Sequence, residues 1–167
     1  DTATYTLEKN IPYLGICFGF QLAAIAFGRK ICNLENANST EIIADTKNPI
    51  IDLLPEQKDE TDMGGSLRLG ANEIKINQDS LAHKIYNSDK ISKRHRHRYE
   101  FNTNYRDEFL KKGMIFSGES DNGKRMEILE IPTHKFFLGV QFHPEFNSRP
   151  GFPEDVFKTF VTAASQN

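Results

Sequence analysis

The sequence contains no tryptophan, two cysteines and three methionines among 167 residues. It has no long apolar run. The longest, Leu22 to Phe27, falls far short of the ~20 residues that cross a bilayer as a helix. Two cysteines exclude a disulfide framework in a chain of this size and point to a reducing, cytoplasmic setting in which a thiol stays free. Neither sign of charge dominates. A formal net charge of -2 and a pI of about 6.2 carry no global signature of a nucleic-acid or membrane partner. No glycine-rich phosphate loop and no complete set of metal ligands is visible. The opening D-T-A-T-Y-T-L-E-K-N lacks the basic start and apolar middle of a secretory leader. It also lacks an initiator methionine and reads like the body of a helix, so a further upstream part is expected.

What is present is an ordinary globular balance, with 38% hydrophobic and 26% charged residues, in a length that suits one domain over residues 1–167. Residues 3–9 are weakly helical. After Pro12, residues 13–16 read as a short buried strand, and residues 18–27 as an apolar helix with Gly28 just past its end. Strand, turn and helix in succession are the elementary unit of an α/β fold. Residues 55–63 are charged and read as an exposed loop. Residues 67–69 and 73–76 alternate like strands. Ser80 is placed to cap a helix running to Tyr86, and Asn104 a helix ending at Gly113. Residues 93–101 look extended. Residues 114–117 and 125–131 flank a hairpin turn at S-D-N-G, and residues 136–142 form another strand. Pro153 suits the first turn of a last helix with Val156, Phe157, Phe160, Val161 and Ala164 on one face.

The segment G-I-C-F-G, Gly15 to Gly19, has the pattern of a nucleophile elbow centred on Cys17. A tight strand-to-helix turn projects the sulfur clear of the backbone and crowds the positions two before and two after it. The helix behind it offers free N–H groups and a positive dipole end, which are expected to lower the thiol pKa. The N–H of Phe18 is placed to donate to a developing oxyanion. Gln21 lies one helical turn on and faces the same side. The competing reading is that Cys17 is a small buried hydrophobe. Cys32 has no such setting and reads as structural.

A nucleophilic cysteine needs a base, and the base an orienting partner. Among the five histidines, His143 in G-V-Q-F-H-P-E-F stands two residues before Glu145. Pro144 favours extended backbone at His143, which would bring the imidazole and carboxylate to one side. A plain surface His–Glu pair is the alternative. His95 and His97, in R-H-R-H-R, admit three readings: a nucleic-acid contact, a His-x-His metal pair, or an exposed or site-lining strand with alternating faces. In the third, Arg94, Arg96 and Arg98 share a side and one of them grips a carboxylate. His83 and His134 are expected to be exposed.

These pieces together resemble the glutaminase domains of the CTP synthases. The resemblance rests on P-Y-L-G-I-C-F-G-F-Q (Pro12 to Gln21), N-A-N-S-T-E (Asn36 to Glu41), M-G-G-S-L-R-L-G (Met63 to Gly70), R-H-R-H-R-Y-E-F-N (Arg94 to Asn102) and G-V-Q-F-H-P-E-F-N-S-R-P (Gly139 to Pro150), and covers nearly the whole chain. It implies a three-layer α/β domain with a mainly parallel central sheet, the flavodoxin-like fold of class I amidotransferases, without its first strands. It implies Cys17, His143 and Glu145 as a catalytic triad hydrolysing L-glutamine. Phe18, Gly19, Phe20, Gln21, Glu41 and Arg98 match glutamine-binding positions, with no metal bound. No cofactor is implied in this chain; ATP and magnesium with UTP, and GTP as activator, would serve the full enzyme. The partner would be a synthetase domain of the same polypeptide, in a tetramer and in filaments. Half of the oxyanion hole would lie on an upstream loop that this chain does not contain. Other readings are another class I glutaminase, a γ-glutamyl hydrolase, or a non-catalytic assembly module. Glu41 and Arg98, suited to a free amino acid's head group, speak against the hydrolase, and the intact Cys–His–Glu set speaks against the module.

Overall fold

A left-handed asparagine and a proline punctuate the start of the chain. Asn10, at φ 54°, closes α1 (Thr2–Lys9), and Pro12 leads into β1 (Tyr13–Ile16). The computed structural model describes residues 2–58 and 67–166. The chain continues through α2 (Phe18–Lys30), β2 (Ala37–Ser39), β3 (Asn48–Asp52) and the single turn α3 (Pro55–Lys58). It then forms β4 (Arg68–Ile76), α4 (Leu81–Tyr86), β5 (Lys90–His97), β6 (Glu100–Phe101), α5 (Arg106–Lys111), β7 (Ile115–Ser120), β8 (Arg125–Glu130), β9 (Phe137–Val140) and α6 (Asp155–Ser165). The outer part of the expected loop at residues 55–63, and the start of the M-G-G-S-L-R-L-G block, lie outside the described residues.

One sheet runs β1-β9-β8-β7-β4-β5, and a smaller one runs β2-β3-β6. The α/β class is as expected, but the large sheet is mixed rather than mainly parallel. Among the described residues, only β1 and β9 pair in parallel within it, with Gly15 opposite Gly139. Parallel neighbours need long crossovers, whereas β7, β8 and β9 follow one another through short connections that enforce antiparallel pairing. One strand–turn–helix unit in the sequence does not reveal this.

Alternation along β9 divides the molecule into two cores. Phe137 packs among Phe20, Phe27, Phe101 and Phe109 on the α2 side, while Leu138 and Val140 join Ile74, Ile85 and Val156 on the α4 and α6 side. Helices on both faces make three layers. Burying one phenylalanine such as Phe109 contributes about 1.5–3 kcal/mol.

Local departures from the sequence reading have local causes. The helix after Cys17 continues to Lys30, so Gly28 is interior. A Cβ there would meet Ile50 and Phe109 at an ordinary contact distance of 3.4 Å. The two expected strands at residues 67–76 are one strand carrying Gly70 at φ 87°. Asn104 does not cap α5, which starts after Tyr105 without a side-chain cap; Asn102 caps the preceding 3₁₀ turn, Thr103–Tyr105, its side chain accepting from the N–H of Asn104. Ser80 caps α4 as expected, accepting from the N–H of His83 at 3.0 Å. On α6 Val156 is buried and Phe157, Phe160 and Ala163 are half-buried, while Val161, 62% exposed, and Ala164 face solvent. No described helix is long and apolar enough to cross a membrane.

Candidate functional site

Cys17 sits between β1 and α2 at φ 50°, ψ −100°, a conformation few non-glycine residues adopt and one typical of strained functional turns. Its N–H donates to the carbonyl of Val140 at 2.8 Å, so the β1–β9 ladder extends up to the cysteine itself. Its carbonyl accepts from the N–H of Gln21 and begins α2. Crowding accounts for Gly15: a Cβ there would fall 2.6 Å from the backbone C and O of Gly19. It does not account for Gly19, where a Cβ would meet nothing nearer than the Tyr13 hydroxyl at 3.6 Å. That hydroxyl donates to the Gly19 carbonyl at 2.7 Å and ties the turn to β1.

Strand β5 and the residues just past it supply the opposite wall through their carbonyls. Arg94 O accepts the N–H of His143 at 2.9 Å, Arg96 O lies 4.0 Å from the Cys17 sulfur, and Tyr99 O accepts from Gln21 Nε2 at 3.0 Å. His143 Nδ1 is 2.6 Å from Glu145 Oε1. The two side chains meet as anticipated, but by a different route: Glu145 lies in a 3₁₀ turn, Pro144–Asn147, rather than in extended chain. The other ring nitrogen, Nε2, is buried without a hydrogen-bond partner among the described residues.

The thiol pKa moves opposite to expectation. Burial pushes Cys17 up to about 11; the Phe18 N–H opposes this, and the carboxylates of Glu145, Glu100 and Glu41 add to it. The helix terminus is present, but desolvation and three negative charges outweigh it.

The remaining expected residues separate into three groups. Glu41 is exposed, within electrostatic reach of the Cys17 sulfur, and its N–H is held by Ser39 Oγ at 3.2 Å. Arg98 is half-buried just beyond β5, its carbonyl accepting from Gln57 Nε2 at 2.9 Å. Phe18 is exposed and Gly19 half-buried at the start of α2, but the Phe20 ring is fully buried in the core and offers the site only its backbone. Gln21, 3% exposed, is committed to Tyr99 and to Gln141. Of the R-H-R-H-R strand, Arg94 and Arg96 face outward and His95 and His97 inward, against Glu127 and Glu100 at 2.9 Å each. His83 and His134 are half-buried rather than exposed, held by Asp89 and by the carbonyl of Thr6. Among the described residues no three His, Cys, Asp or Glu side chains form a metal-holding group.

A family model described as glutamine amidotransferase class-I matches residues 1–163. The chain belongs to the class-I glutamine amidotransferases. It is 52% identical over 160 residues to a CTP synthase of Staphylococcus haemolyticus and 53% identical over 160 residues to that of Archaeoglobus fulgidus. Each match covers 96% of this chain and 30% of the relative, so the chain spans about a third of the length of these curated relatives. Among solved structures, the glutaminase domain of Trypanosoma brucei CTPS with bound acivicin superposes with a TM-score of 0.91 at 36% identity. That match covers 99% of this chain and 64% of the other.

Sequence reasoning gave no role to three residues that stand close to Cys17 or Arg98. Gln141 is fully buried and places Nε2 3.7 Å from the Cys17 sulfur. Glu100 is fully buried and acts on that sulfur through its charge. Gln57 fixes the main chain at Arg98. A signal for Gln141 was available: it precedes His143 by two, and side chains two apart along a strand end share a face.

Proposed function

We propose that this chain is the glutaminase part of a CTP synthase, residues 1–167 forming its amidotransferase domain. It hydrolyses L-glutamine to glutamate and ammonia, and the ammonia passes to a synthetase domain of the same polypeptide for ATP-dependent amination of UTP. The identities of 52% and 53% to CTP synthases over nearly the whole chain support this reading. So does the likeness to a glutaminase domain that holds acivicin. The CTP-forming step, with its ATP, magnesium and UTP, belongs to the part of the relatives outside this chain, as do the GTP response and any tetramer or filament.

The observation that carries the glutaminase reading is one wall serving two groups. The strand whose Arg96 carbonyl meets the Cys17 sulfur also fixes His143 through the Arg94 carbonyl, and Glu145 holds the far side of that imidazole. In the proposed reaction His143 takes the proton of the Cys17 thiol as the sulfur attacks the carboxamide carbon of glutamine. The developing oxyanion draws on the N–H of Phe18. His143 delivers a proton to the nitrogen as the C–N bond breaks and ammonia leaves, giving a γ-glutamyl thioester. His143 then takes a proton from water as it attacks the thioester, releasing glutamate and the thiol. Glu145 sets the ring orientation throughout. Glu41 is suited to the α-ammonium and Arg98 to the α-carboxylate of the substrate, while Gly19, Phe20 and Gln21 contribute from the start of α2.

The test is acid-quenched intact-mass analysis after incubation with L-glutamine. A γ-glutamyl adduct on Cys17, absent in Cys17→Ala and retained longer in His143→Ala, is expected. An adduct formed equally well from a γ-glutamyl peptide would move the assignment to a γ-glutamyl hydrolase.

A further inference from the structure

Every amide in the chain Tyr99–Gln21–Gln141–Cys17 has its direction set from one end. A backbone carbonyl only accepts, so Gln21 must present its NH₂ to Tyr99 O, 3.0 Å away. The second N–H of the same group reaches Gln141 Oε1 at 3.3 Å. Gln141 is thereby committed to offering its oxygen to Gln21, which leaves its own NH₂ directed at the Cys17 sulfur, 3.7 Å away. Its main chain is equally fixed: the Gln141 N–H donates to Glu127 O at 2.8 Å, and the residue is fully buried. A donor held this firmly against sulfur has no packing purpose that an apolar side chain of the same shape would not serve.

We infer that Gln141 is a catalytic residue of this site, its side-chain amide donating to the Cys17 sulfur and stabilising the thiolate, with Gln21 as the positioning residue that fixes the direction of that donation. The inference rests on Cys17 being the nucleophile, the reading proposed above. The chemical need is local: the half-buried sulfur lies within electrostatic reach of the carboxylates of Glu145, Glu100 and Glu41, so each directed N–H matters to the charged form. Besides the Phe18 N–H, Gln141 provides such a donor. Gln21 then has a structural duty beyond any contact with substrate.

The experiment is the pH dependence of iodoacetamide alkylation, followed peptide by peptide in the present chain, with Cys32 as the internal reference. In this reaction the thiolate displaces iodide, so the rate below the pKa reports the thiolate fraction. Gln141→Met removes the donor and is expected to slow Cys17 alkylation about tenfold at pH 8. Gln141→Glu keeps the shape, removes the donor and adds charge, so it should slow the reaction further. Gln21→Met frees the orientation of Gln141 and is expected to give a smaller loss of about threefold. Cys32 should not change. Unaltered Cys17 profiles in folded variants, or parallel changes at Cys17 and Cys32, would overturn the inference. The wild-type protein gives an independent reading: capping Cys17 as a methyl disulfide should move the side-chain amide ¹⁵N–H resonances of Gln141, and unmoved resonances would equally overturn it. Glutamine protection of wild-type Cys17 tests the glutaminase reading separately. Its failure would leave the effect of Gln141 on the thiolate standing.

Discussion

Replacing Glu127 by glutamine should destabilise the fold strongly at neutral pH and hardly at all in acid. Glu127 is fully buried, with Arg68 at 2.6 Å, His95 at 2.9 Å and the Ser120 hydroxyl at 2.5 Å. Burial pushes its pKa up, but hydrogen bonds from His95 and Ser120 and the charges of Arg68 and His95 outweigh this, and it falls from 4.5 to about 2. A carboxyl with a depressed folded-state pKa contributes stability above its unfolded pKa and loses it as pH drops through the folded value. The window here is therefore pH 4.5 down to about 2. The shift corresponds to about 3 kcal/mol. Removing one partner of a buried pair costs roughly 3–5 kcal/mol, because the other charge stays buried without compensation. Against a total stability of about 5–15 kcal/mol, that loss brings the domain near its threshold. Urea unfolding followed by far-UV circular dichroism suits a protein without tryptophan. The gap between wild type and Glu127→Gln should be near 3–5 kcal/mol at pH 7 and close most of the way by pH 2.5. A gap below about 1 kcal/mol at pH 7, or one that does not change with pH, would refute the reasoning.

Three other outcomes follow from the geometry. Gly15→Ala drives a methyl into the Gly19 backbone 2.6 Å away and should cost about 2–3 kcal/mol in urea unfolding, with Gly19→Ala costing less than half of that. Glu145→Gln keeps the shape beside His143 but removes the carboxylate 2.6 Å from Nδ1, and should lower the rate of thioester breakdown about 10²-fold by rapid quench, with glutamine binding unchanged. Ser80→Ala removes the cap on the His83 N–H and should lower stability by about 1 kcal/mol, read from the urea midpoint.

The parts of this molecule legible in its sequence are those governed by neighbours in the chain. The strand before Cys17, the glycine demanded two residues earlier and the cap at Ser80 depend on a few adjacent residues. The alternation of His95 and His97 with the arginines also follows from strand period, though which face turns inward does not. Sheet order was not legible, because nothing local says that β1 lies beside β9 or that the remaining neighbours run antiparallel. The extent of α2 was missed for a related reason: Gly28 reads as a stop until Ile50 and Phe109 are seen against it. The pairing of His143 with Glu145 was visible, but the turn that achieves it was not. The thiol pKa was misjudged because the helix terminus is local, whereas the burial and the carboxylates of Glu41, Glu100 and Glu145 arrive from distant segments.

The most direct test of the central claim is covalent labelling with acivicin followed by peptide mass spectrometry. A single adduct on Cys17, slowed by L-glutamine and absent in Cys17→Ala, is the predicted result. Equal labelling of Cys17 and Cys32, or an adduct on Cys17 indifferent to glutamine, would contradict it.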